Sequence, residues 1–189
     1  MKFLRLFAVT AIVFFSLNVA NAQTEQWVIG IKAGANYTDL YTDLNSLKDE
    51  TGKAGFTIGA FARMGQELFF QPEINYIRSA SKFEYDNQTL NPKFNQLNVP
   101  LMIGYKLLDQ DYFNLRVSVG PDLNYSLNEP KPLKSFDYKK FTVGGTFDVG
   151  VDLGNIAIDA RYSRGFTDLN KVLGQKAGIY SLTVGFKVL

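Results

Sequence analysis

Phe113-Asn114-Leu115-Arg116-Val117-Ser118-Val119-Gly120-Pro121-Asp122-Leu123-Asn124-Tyr125 alternates along its whole length. Odd positions carry Phe, Leu, Val, Val, Leu and Tyr, with Pro121 the single break; even positions carry Asn, Arg, Ser, Gly, Asp and Asn. A repeat of two places successive side chains on opposite faces of a β-strand, here one apolar and one polar. Seven further segments share the pattern, at about residues 27–37, 56–64, 68–76, 97–105, 141–151, 156–166 and 180–188. On their apolar faces the one charged residue is Arg164. The opposite faces hold ten charged residues and nine glycines.

A soluble sheet buries its apolar face under another layer, and the sequence offers no helix or second sheet to cover this one. Lipid is then the solvent for that face, and closure satisfies every backbone group. The reading is all-β: an eight-stranded antiparallel up-and-down transmembrane β-barrel. Long connections, near 38–55, 77–96, 126–140 and 167–179, alternate with short ones near 65–67, 107–112 and 154–155. Barrels of the bacterial outer membrane have short periplasmic turns and long external loops, so both termini are expected in the periplasm. Aromatic residues support the same frame. Tyr37, Phe56, Tyr76, Tyr125, Phe141, Phe166 and Tyr180 are expected at the external end of the lipid face, and Trp27, Phe70, Tyr105, Phe113 and Phe186 at the other. Such girdles mark membrane interfaces. Pro72, Pro100 and Pro121 fall inside strands of a sheet without edges; a local bulge is expected at Pro100.

Residues 1–22 have the form of a secretory signal peptide, with Lys2 and Arg5 ahead of a short apolar core and Ala20-Asn21-Ala22 fitting the cleavage rule. One barrel domain, residues 23–189, is expected to follow. Without Lys2 and Arg5 the basic and acidic residues balance, so charge gives no reason to expect a nucleic-acid partner. The chain has no cysteine and no histidine. Disulfides and thiolate metal sites are excluded. A general base near neutral pH would have to be a shifted carboxylate or lysine. Paired-carboxylate chemistry at Asp148 and Asp152 is conceivable, but internal salt bridges explain them more simply. No enzyme, cofactor or metal site is expected.

Inward-facing charges divide evenly: Lys32, Arg63, Arg116, Arg161 and Lys187 against Glu73, Asp122, Asp148, Asp152 and Asp159. Eight strands enclose a bore that side chains can fill. Unpaired buried charges are costly, so all ten are expected to pair and plug the bore, with glycines making room for the arginines. A narrow ion or proton path is the alternative. At the external end, Arg78, Lys131, Lys134, Lys139 and Lys140, with Arg164 at the rim, are candidate contacts for lipopolysaccharide phosphates; an ordinary solvated loop surface is the plainer reading.

Phe70-Gln71-Pro72-Glu73-Ile74-Asn75-Tyr76, Leu97-Asn98-Val99-Pro100-Leu101, Gly120-Pro121, Arg161-Tyr162-Ser163 with Gly165, and Gly185-Phe186 resemble the PorT-like outer-membrane β-barrel family of Bacteroidetes. More broadly the chain resembles the eight-stranded barrels of OmpA and OmpX type. The resemblance runs over residues 27–189 and takes in the awkward prolines. One departure is the end, Lys187-Val188-Leu189, where barrels of this class often finish on an aromatic residue. The resemblance implies an outer-membrane location and a porin-like, monomeric barrel among envelope lipids. It also admits a part in a protein secretion or assembly apparatus, with other envelope proteins met through the loops. A soluble periplasmic lipocalin-like binder is the remaining alternative; it would need the apolar face turned inward.

Overall fold

The computed structural model describes residues 27–41, 51–85, 88–90, 93–128, 139–167 and 176–188. The strands are β1 (Trp27–Tyr41), β2 (Thr51–Gly65), β3 (Leu68–Tyr85), β4 (Gln88–Leu90), β5 (Lys93–Asp109), β6 (Phe113–Ser126), β7 (Phe141–Leu153), β8 (Ile156–Gly165) and β9 (Lys176–Lys187). Eight of them form a ring in the order β1-β2-β3-β5-β6-β7-β8-β9, every pair antiparallel, and β9 returns to β1. The short β4 pairs with the tip of β3, outside the ring. The chain is thus a closed, eight-stranded up-and-down barrel. The signal-peptide expectation for residues 1–22 lies outside the described residues, as do Lys131 and Lys134.

Burial follows the alternation and is inverted relative to a soluble protein. Among the described residues, six apolar side chains are buried against twenty polar or charged ones, so the interior is the polar side. Ile31, Ile58, Ile74, Ile103, Val119, Phe147 and Val184 stand exposed around the outside. A continuous apolar belt of this extent is not maintained against water; it is the lipid face of a membrane barrel. A lipocalin-like binder needs the reverse arrangement and is set aside.

Cross-strand pairing holds the two faces in register. Lys32 lies between Gly59 and Gly185, and Arg116 between Lys106 and Gly150. Short turns close one end of the barrel, hereafter the turn end. At the β7–β8 turn Leu153 pairs with Ile156 across Gly154-Asn155, and Gly154 takes a left-handed φ of 55°. Glycine meets that requirement without steric cost. The longer connections gather at the opposite, loop end.

Three expectations need correction. The connection 77–96 is largely strand: β3 runs on to Tyr85, and β5 begins at Lys93. Ile77 and Ser79 continue the inward alternation, both buried. With 18 residues in β3 and 17 in β5, both exceed the ~9–11 residues that span a bilayer, so this hairpin projects past the membrane. Tyr37, Phe56, Tyr76 and Tyr180 accordingly lie several residues inside the strand ends, and Arg78 and Lys176 lie on strands. Finally, no bulge occurs at Pro100. Pairs Pro72 with Leu101, Pro100 with Asp122 and Pro121 with Gly145 keep the register of their neighbours. Rungs drop out beside the prolines in the β3–β5 and β5–β6 ladders, because a missing N–H removes a hydrogen bond without adding a residue, while β6–β7 is continuous through Pro121. The shifts in register fall instead at Lys53/Phe56 and Lys106/Leu108.

Candidate functional site

Inward alternation on seven of the eight ring strands delivers charge to the bore, while β5 contributes Asn98, Pro100, Met102 and Gly104. Near the middle, Glu73 receives Lys32 at 2.5 Å and the Arg161 guanidinium at 2.7 and 2.8 Å in a bidentate fork. Gln71 and Asn75 also donate to Glu73, at 2.7 and 3.0 Å. A planar guanidinium matches a carboxylate through two parallel bonds, which fixes geometry as well as charge. Arg161 turns its Nε to Asp148 at 3.0 Å and so links β3 to β7 across the lumen.

Towards the turn end the second hub is Arg116. Its guanidinium lies 2.5 Å from Asp159, 3.2 Å from Asp152 and 3.6 Å from Asp148. Arg63 binds Asp152 at 2.6 Å and Gln71 at 2.7 Å, and Lys187 approaches Asp152 at 3.7 Å. Gly150 makes this hub feasible: a Cβ there would meet the Arg116 guanidinium at 2.3 Å. Below, Phe61 and Phe69 fill the bore with Arg63 over both rings, at 5.7 and 5.2 Å. Side chains at Gly30 and Gly104 would strike those rings at 2.5 and 2.2 Å.

The pairing expected of all ten charges holds for nine. Asp122 meets no cation within ion-pair distance among the described residues. Its carboxylate accepts a hydrogen bond from the Asn98 amide instead. A neutral amide donor stands in for a cation at this buried carboxylate. A cavity of about 20 Å³ lies beside it, lined by Gln96, Thr142 and Thr167 among others, enough for about one water. Parity puts the amide residues Gln71, Asn75 and Asn98 on the inward face, but the sequence alone does not show that they join the charge network.

At the loop end the candidate contacts spread around the rim. Arg78 on β3 and Arg164 on β8 are both exposed and outward by alternation, while Lys139 and Lys140 lie just ahead of β7. They form no single cluster. Lys176, near the start of β9, adds a cation on the same outer face as Tyr180.

The family described as outer membrane protein beta-barrel domain matches residues 21–171. No curated protein matches the chain in sequence. Among solved structures, OprG of Pseudomonas aeruginosa is similar at a TM-score of 0.55 and 12% identity, over 86% of this chain and 96% of that one. The attachment invasion locus protein Ail of Yersinia pestis gives 0.50 and 14%, over 86% and 99%. The outer membrane enzyme PagL gives 0.51 and 11%, over 82% and 98%. At these identities the likeness is one of fold.

Proposed function

The chain belongs to the outer membrane protein β-barrel domain family, and from that membership we propose a non-enzymatic, non-conducting barrel that acts through its loop end. The observation that carries this reading is the ion-pair chain Lys32–Glu73–Arg161–Asp148–Arg116–Asp152–Arg63, which crosses the lumen. With Lys187 and Asp159 the network joins five cations and four anions, Asp122 brings the bore to balance, and phenylalanines close the turn end. Breaking one link leaves a buried charge without its partner, a cost of about 3–5 kcal/mol that opposes opening. In planar bilayers the purified protein is expected to give no stable conductance. Reproducible step currents would overturn the plug.

The loop end is proposed to face outward, with both termini periplasmic and residues 1–22 removed on export. Arg78, Lys139, Lys140, Arg164 and Lys176 then stand where outer-leaflet phosphates are found, and envelope lipid is the nearest partner. Lys131 and Lys134 join them in sequence. The barrel is proposed to act as a monomer.

Against catalysis stands the lack of histidine, with Asp148 and Asp152 both held by arginines. PagL shows that this fold can carry an enzyme, but the fold alone transfers no activity. Turnover of lipid A, phospholipid or peptide that disappears in Asp148→Asn would refute the non-enzymatic reading. A second reading, a PorT-like part in protein secretion or assembly, draws on the β3 and β5 motifs around Pro72 and Pro100. Lost protein export in a deletion strain would favour it, and normal export would remove it.

A further inference from the structure

The outer wall is uneven. Beneath Arg78 the lipid face is filled: Phe56 and Tyr76 pack at 6.0 Å between centroids, and Ile58 and Ile74 follow. Beneath Arg164 it is hollow. A groove of about 570 Å³ runs over β1, β9 and β8, within the roughly 300–1,000 Å³ of ligand sites. Tyr37, Tyr180 and Tyr162 lie in one cross-strand row along it, the last two rings tilted against each other at 4.7 Å between centroids. In the next row Ala35 and Ala160 flank Leu182, and these small side chains form the trough.

Two cations stand over the tyrosine row. Arg164 is two positions beyond Tyr162 on the same face, paired with glycine on either side at Gly145 and Gly178. Lys176 is two positions beyond Gly178. Strand spacings put their backbones roughly 8 Å apart. Neither forms an ion pair among the described residues, although Asp39 shares the Arg164 row two strands away.

We propose that this face holds one phosphorylated glycolipid of the lipid A type, an acyl chain in the trough and a phosphate on Arg164 and Lys176. The match is one of charge and shape together: a trough without cations would take any lipid, and cations without a trough, as at Arg78, hold a phosphate loosely. The proposal rests on the loop end facing outward. That orientation is checked separately, by labelling Lys176→Cys in intact cells with an impermeant maleimide in this otherwise cysteine-free chain.

Native mass spectrometry of the full-length protein in micelles, with bis-phosphorylated lipid A as probe, tests the site. One retained copy is expected. Retention should fall about thirty-fold in Arg164→Ala/Lys176→Ala, from roughly fivefold per basic residue. It should fall comparably in Ala35→Leu/Ala160→Phe, which fills the trough and leaves both cations. Both variants alter only the outer wall, and heat-modifiable mobility verifies that they fold. Equal retention of dephosphorylated lipid A, preference for phosphatidylglycerol, or unchanged retention in either double variant would overturn the proposal. Failure of binding in micelles with correct labelling in cells would count against the site alone.

Discussion

Glu73 illustrates how a single interior residue supports the fold. It neutralises Lys32 and Arg161 together, while Gln71 and Asn75 complete its hydrogen bonds. Glu73→Gln keeps the shape and removes the charge, leaving two cations facing each other in the bore. A loss of about 3–5 kcal/mol is expected from denaturant unfolding in vesicles, followed through Trp27, the one tryptophan. A loss under about 1 kcal/mol would mean that the lumen is wet enough to screen the pair. Gly150→Val makes the complementary test of space. Its side chain would enter the volume of the Arg116 guanidinium, and overpacking of this kind costs about 1–3 kcal/mol. Arg116→Ala in the Gly150→Val background should recover less than it relieves, since Asp148, Asp152 and Asp159 would lose their shared cation.

Elements divide at the membrane boundary, and so does what the sequence reveals about them. Within the bilayer, outward positions must be apolar and inward ones polar, and that contrast made all eight ring strands legible. Beyond it the outward face meets water and need not be apolar, the contrast fades, and the continuation of β3 from Ile77 to Tyr85 reads as loop. The prolines misled for a related reason: a missing N–H suggests a bulge, yet the register of β3, β5 and β6 passes through unbroken. Projection beyond the membrane predicts tolerance. Replacing residues 81–93 by a short turn should leave heat-modifiable mobility intact, because the ring pairs below this tip do not depend on it. By contrast Ile58→Lys, mid-belt and outward, should cost about 2–4 kcal/mol of folding free energy in the bilayer, whereas Arg164→Ala near the rim should change it by under about 1.

At the scale of the whole molecule the barrel is an ionic interior enclosed in an apolar wall. The sequence showed which residues face inward, but not who pairs with whom. Glu73 and Arg161 are 88 positions apart, and their meeting depends on the stagger of strands around the closed ring. The exclusion of Asp122 from the ion pairs, and the trough beneath Arg164, depend on the same three-dimensional placement.

Spin labels at cysteines introduced one at a time along β2 and β9, from Thr57 to Phe61 and from Leu182 to Phe186, would test this arrangement most directly in a chain that has no native cysteine. In reconstituted vesicles, labels at Ile58, Ala60, Leu182, Val184 and Phe186 should be accessible to membrane-dissolved oxygen and shielded from an aqueous nickel chelate, with the intervening positions shielded from both. Nickel accessibility at Ile58 and Val184, or loss of the two-residue alternation, would contradict a lipid-facing wall around a sealed ionic core.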